Sequence, residues 1–209
     1  VASGPTVLDK TTKEDAEKTL KKYKIKGLKS VETSKDKKYF KNVKNILFIS
    51  NKDALSAMAE KAKKLGFKPK IASYALKGEA KNALVSLAGK AGRKEVILAG
   101  GETTVKIGRA AGKGGRNQEA VLGIINGFKK AKFKNSIVLS FASDGHDNTE
   151  AAGAIGDFLT LKRAEKMKLN PKIFLMGHNS FSFFKKTGDL IFADKKSFNV
   201  ADLMIILKE

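Results

Sequence analysis

The chain has no cysteine and no tryptophan, only two histidines and three prolines, and only four arginines among its forty-two basic residues. Without cysteine there is no disulfide framework and no thiolate metal site, and two histidines are too few for most imidazole clusters. A metal bound here would be a hard cation held by oxygen. No apolar run approaches the ~20 residues of a membrane helix. The opening Val1-Ala2-Ser3-Gly4-Pro5 has neither the basic region nor the apolar core of a signal peptide. The expectation is a cytoplasmic protein with no membrane partner.

The shortage of arginine also governs how the charge is read. A net charge of +21 over 209 residues is the electrostatic footprint of a nucleic-acid binder. The excess is nearly all lysine, however, and it is spread along the chain, whereas bidentate phosphate and guanine recognition is mostly the work of arginine. A solvated surface is the reading preferred, and nucleic acid is weighed against as a partner. A basic polyanion-binding module, or an inactive fragment, remains the alternative.

Hydrophobic periodicity divides the chain. Residues 1–43 are polar and lysine-rich, with one helix expected over 13–23, opened by Thr11 facing Glu14. From residue 44 onward, short apolar runs alternate with helical patterns, which predicts an α/β domain whose mixed, largely parallel sheet is flanked by helices. Strands are expected at 45–50 (NILFIS), 70–74, 95–99, 136–142 (SIVLSFA), 189–192 and 203–207, with a further one possible at 103–107. Helices are expected after an N-cap at Asn51, over 79–91, over 117–128, near 161–167 and over 181–186, the last capped by Asn179 or Ser180.

Three of the strands run into polar or glycine residues: Asn51, then Gly100-Gly101-Glu102-Thr103-Thr104, then Ser143-Asp144-Gly145. In open α/β sheets, loops at the carboxyl ends of strands converge on the ligand. The run from Gly108 to Glu119 adds glycines, Arg109, Arg116 and a helix start, a pattern suited to a phosphate or carboxylate. It matches neither a Walker loop nor the dinucleotide fingerprint. Asp144 and Asp147, three residues apart after a strand, are candidate Mg²⁺ ligands, with an Asx-turn as the alternative. His146 and His178 have no spaced partners and read as ordinary loop or surface histidines.

In sum these runs resemble MOFRL-type glycerate kinases. The likeness is carried by Ser3-Gly4-Pro5-Thr6, Ser50-Asn51-Lys52-Asp53-Ala54, Gly100-Gly101-Glu102-Thr103-Thr104-Val105 and Gly112-Lys113-Gly114-Gly115-Arg116-Asn117-Gln118-Glu119. It continues through Ser143-Asp144-Gly145-His146-Asp147, Ala151-Ala152-Gly153-Ala154, Asn179-Ser180, Gly188-Asp189-Leu190 and Asn199-Val200-Ala201-Asp202-Leu203. The resemblance implies transfer of a phosphoryl group from ATP to glycerate with Mg²⁺, giving 2-phosphoglycerate, in a cleft between two domains. Residues 1–43 would then be a remnant of the N-terminal Rossmann-like domain, the rest of it missing, and 44–209 the C-terminal domain. It implies catalytic roles for Arg116 and Asp144, metal binding by Asp144 and Asp147, and substrate or nucleotide contacts from Ser3, Asn51, Gly100, Gly101, Glu102, Thr103, Gly114, Gly115, Asn117, Glu119 and Asn179. Asn148 and residues 193–198 depart from the family's glycine-rich pattern.

Overall fold

The computed structural model describes residues 6–108, 112–130, 133, 135–193 and 198–209. The chain divides into two compact units, residues 1–48 and 49–209. In the first, the helix α1 (Lys13–Lys22) buries no residue. Its capping box is made by Thr12 and Asp15, one position later than the Thr11 and Glu14 expected. Thr11 is otherwise engaged, since its backbone N–H and its hydroxyl both donate to Asp9 Oδ1, at 2.9 and 2.7 Å.

The NILFIS run is not a strand. Ile46, Leu47 and Phe48 stand exposed, Phe48 at 85%, and no described segment pairs with them. A strand needs a neighbour for its backbone groups, and apolar content by itself does not supply one.

The second unit is built on six strands: β1 (Lys68–Leu76), β2 (Glu95–Gly101), β3 (Ser136–Ala142), β4 (Gly153–Gly156), β5 (Leu190–Ile191) and β6 (Asp202–Lys208). They lie in the order β1-β2-β6-β3-β4-β5. The sheet is mixed as expected, but the expected predominance of parallel pairing is corrected: β1 with β2 is parallel, and the other four pairings are antiparallel. The last strand accounts for two of these four. By entering between β2 and β3 in the opposite sense, β6 separates strands that still point the same way. Residues 103–107 form no strand, only a bridge from Thr104 to Glu79.

Side-chain alternation along β2 explains the layers. Val96 and Leu98 join Leu55 and Ala62 of α2 (Asn51–Lys64) and Leu203 on one face. Ile97 and Ala99 join α3 (Ala80–Ala88) and α4 (Arg116–Ile125) on the other. Both faces of β2 are therefore buried, which is what its unbroken apolar run signals. The apolar run of β3 has one buried face only, with Ile137 exposed on the other. The cap of α2 is Ser50, boxed with Asp53, so Asn51 is the first helical residue and not the cap.

Helix α4 lies at the centre, with all but Arg116 and Gly123 buried. It touches α3 so closely that a Cβ on Gly123 would stand 2.1 Å from the Lys81 carbonyl oxygen. The helices α5 (Phe158–Lys166), α6 (Pro171–Met176) and α7 (Ser180–Thr187) complete this layer. Among the described residues no helix is long and apolar enough to cross a membrane.

Candidate active-site cleft

The carboxyl ends of β1, β2 and β3 share one edge of the sheet with the amino end of β6. A cavity of about 770 Å³ opens there, lined by Lys77 after β1, residues 102–105 and Ile107 after β2, and Gly112, Gly114 and Gly115. Arg116 and Glu119 from α4, residues 146–148 after β3, and His178 complete the lining. This is the position at which open α/β sheets receive ligands.

Arg116 is anchored from behind. Its Nε and Nη2 donate to Asp202 at 2.6 and 3.1 Å, and its Nη1 donates to Glu102 at 2.8 Å. Asp202 is fully buried, and the sheet register sets it beside both Gly101 and Ala142, at the mouth between β2 and β3. Its hydrogen bonds hold the Arg116 guanidinium above its ordinary pKa, so the charge is permanent. A guanidinium has five N–H groups, so after three bonds two remain for a ligand.

Asp147 occupies the helix N-terminus that the glycine-rich run suggested for a substrate anion. Its Oδ1 accepts from Asn117 N and Nδ2 at 3.0 and 3.1 Å, and its Oδ2 from Gln118 N and Nε2 at 2.9 and 3.1 Å. Two of the unsatisfied backbone N–H groups at the start of α4, those of Asn117 and Gln118, thus end on a carboxylate of the protein itself. Burial pushes the Asp147 carboxyl above the ordinary range, and these donors oppose the rise. Asp144 accepts from His146 N at 3.0 Å and from Asn199 Nδ2 at 3.0 Å, the Asx-turn alternative. The Asp147 carboxylate is already engaged by four donors, and among the described residues no group of three or more His, Asp or Glu side chains is placed to hold a cation.

The glycines of the loop before α4 let protein approach protein. A Cβ on Gly115 would come within 1.9 Å of the Asp147 carbonyl oxygen, and one on Gly114 within 2.2 Å of Ser180 Oγ. The loop is tied down by Gly112 N donating to Gly177 O at 2.8 Å and Phe181 N donating to Lys113 O at 3.0 Å.

The structure thus brings Glu102, Thr103, Gly114, Gly115, Arg116, Glu119 and Asp147 together in the cleft. Asn51, Gly100, Gly101, Asn117, Asp144 and Asn179 are not among its lining residues. Asn51 donates to Tyr74 O at 2.6 Å and packs against Gly100, a support role. Gly101 lies where a Cβ would meet the Leu76 backbone. Asn117 is interior, bonded to Asp147, Asp202 and Ser140, and Asn179 is the N-cap residue of α7 without a side-chain cap bond. Ser3, Arg109 and residues 194–197 lie outside the described residues.

Three residues at or behind the cleft are absent from the expected site. Lys77 carries no ion pair among the described residues and follows a strand that the sequence does predict, which is the signal available for it. Asp202 lies in a quoted motif, but its burial beside Arg116 depends on where β6 enters the sheet. His178 meets Glu119, 59 positions away in the chain, at 2.9 Å, a partnership that local spacing cannot show.

The model of the MOFRL family matches residues 95–202. The glycerate 2-kinase of Pyrococcus horikoshii is 36% identical over 231 residues, an alignment covering 99% of this chain and 52% of that protein. The D-glycerate 2-kinase of Thermotoga maritima is 32% identical over 98% of this chain and 52% of its own length. The crystal structure of a glycerate kinase from Thermotoga maritima superposes with a TM-score of 0.79 at 31% identity, covering 100% of this chain and 53% of that one. The chain spans about half the length of the curated relatives it matches.

Proposed function

The chain belongs to the MOFRL family, and from that premise we propose that it is the C-terminal, cleft-forming portion of a glycerate 2-kinase, transferring a phosphoryl group from ATP to glycerate. The observation that carries this reading is the cleft at the strand ends, where, among the described residues, two N–H groups of Arg116 and the charge of Lys77 have no partner. Both reactants are anions, and phosphoryl transfer depends mostly on positioning and charge neutralisation. The names of the relatives support the acceptor.

On this reading Arg116, fixed by Asp202 and Glu102, holds a carboxylate or phosphate in the plane of its guanidinium, and Lys77 supplies a second positive charge. Thr103, whose buried hydroxyl lacks a partner among the described residues, is free to bond a ligand oxygen. The relatives carry about as much chain again, and we take the second wall of the cleft to lie there.

The test is calorimetric titration of the 209-residue chain with D-glycerate and with ATP, joined to an assay of glycerate-dependent ADP release. Binding that is lost in Arg116→Ala, with the melting transition retained, supports the reading. Glycerate affinity unchanged in Arg116→Ala removes this residue from the site.

A further inference from the structure

Glu119 and His178 both line the cleft, and neither has a task in the anion binding described above. Glu119 is buried, and its Oε2 is 2.9 Å from His178 Nδ1, while its Oε1 is buried without a partner among the described residues. A carboxylate oxygen accepts and does not donate, so Nδ1 carries the hydrogen. In the neutral ring this fixes the tautomer and leaves Nε2 as an acceptor. No described residue bonds Nε2.

The ring is held by more than this bond. His178 has a φ of +48°, in the left-handed region. The glycine loop clamps the turn that carries it, through Gly112 N to Gly177 O. A nitrogen acceptor is of no use to an ionised carboxylate or a fully ionised phosphate, which offers only acceptors itself. It suits a hydroxyl.

We propose that the Glu119–His178 pair is the hydroxyl-recognition point of the cleft, with His178 Nε2 accepting the hydrogen bond of the hydroxy-acid's alcohol while the cationic groups hold its acid end. This rests on the glycerate-kinase reading, and it names a residue that selects a hydroxy-acid over a simple carboxylic acid.

The experiment exploits the chain's two histidines. With ¹⁵N-histidine labelling, His146→Gln assigns both ring systems, and the 209-residue chain is titrated at mildly alkaline pH with D-glycerate, lactate, 3-hydroxypropanoate and propanoate. The expected result is that glycerate and one of the two single-hydroxyl acids shift His178 Nε2, while propanoate leaves it unmoved. The acid that shifts it identifies the hydroxyl received. His178→Asn keeps a residue tolerant of positive φ and should weaken glycerate roughly three- to tenfold with propanoate unaffected. Calorimetric glycerate binding without a His178 shift, or an equal shift with propanoate, overturns the inference and leaves the kinase reading standing. No glycerate binding at all overturns both.

Discussion

Asp147→Asn separates a structural carboxylate from a metal ligand. In the folded chain four N–H groups end on the two oxygens of Asp147, two from Asn117 and two from Gln118. Asparagine keeps one oxygen and sets an NH₂ against two donors, whichever way the amide is turned. Each buried donor left without an acceptor costs about 1–3 kcal/mol, so the substitution should destabilise the fold by roughly 2–6 kcal/mol, against a total stability of about 5–15 kcal/mol for a typical domain. At about 2–4 °C per kcal/mol for a chain of this size, the melting temperature should fall by roughly 4–24 °C. Urea unfolding monitored by circular dichroism gives the free energy, and titration with MgCl₂ is run beside it. A variant that melts like the parent but loses a Mg²⁺ affinity the parent possesses would refute the capping role and restore Asp147 as a cation ligand.

Four further outcomes follow from the same contacts. Because burial holds the Asp147 pKa above its unfolded value, the stability tied to its proton is present below the unfolded value and is lost as pH rises through the folded one; Asp147→Asn should flatten that fall in urea midpoints measured from the ordinary carboxylate range upward. Gly123→Ala sets a methyl 2.1 Å from the Lys81 carbonyl and should cost about 1–3 kcal/mol by forcing α3 from α4; an unchanged melting curve would refute that close approach. Lys77→Ala should leave stability within about 0.5 kcal/mol yet weaken the binding of inorganic phosphate or glycerate by calorimetry, and unchanged affinity would exclude Lys77 from the site. Asp147→Asn and Asp202→Asn should be non-additive by about 0.5–3 kcal/mol in a double-mutant cycle, because both carboxylates take a hydrogen from Asn117 Nδ2; strict additivity would mean that Asn117 does not link them.

Sequence patterns located most of the elements of the second unit because their signals are local. The unbroken apolar run of β2 and the helical spacing of Leu84, Leu87 and Ala88 each report burial directly. Sheet pairing is not local. Nothing in residues 202–208 says that the last strand enters between β2 and β3, so its two antiparallel ladders were illegible, and with them the placement of Asp202 against Arg116. NILFIS shows the converse error, since its apolar content says nothing about whether a partner strand is within reach. The cleft was legible as a convergence of loops after strands. What each carboxylate does there was not, because Asp147 and Glu119 find their partners about 30 and 59 positions away.

The first turn of α4 explains why this site is polar yet buried. Successive helical residues are about 100° apart, so Arg116, Asn117, Gln118 and Glu119 face four directions, and a helix enclosed on nearly all sides must satisfy each of them from a different element. Arg116 is met by Asp202 from β6 and by Glu102 after β2; Asn117 by Asp202, Asp147 and Ser140. Gln118 is met by Asp147 and Thr149, and Glu119 by His178. Every one of these partners except Glu102 comes from later in the chain, so the turn takes its final form only when β3, β6 and the loop before α7 are in place. On the proposed reading, a cleft wall braced from so many elements holds the Arg116 N–H groups and the His178 nitrogen that have no partner among the described residues in fixed positions, where they would discriminate between ligands. The same arrangement explains the glycines: with the Asn117 and Gln118 N–H groups committed to Asp147, their lack of side chains serves to admit Asp147 and Ser180 at close range, and on the proposed reading the charge that attracts a ligand would come from side chains at the rim.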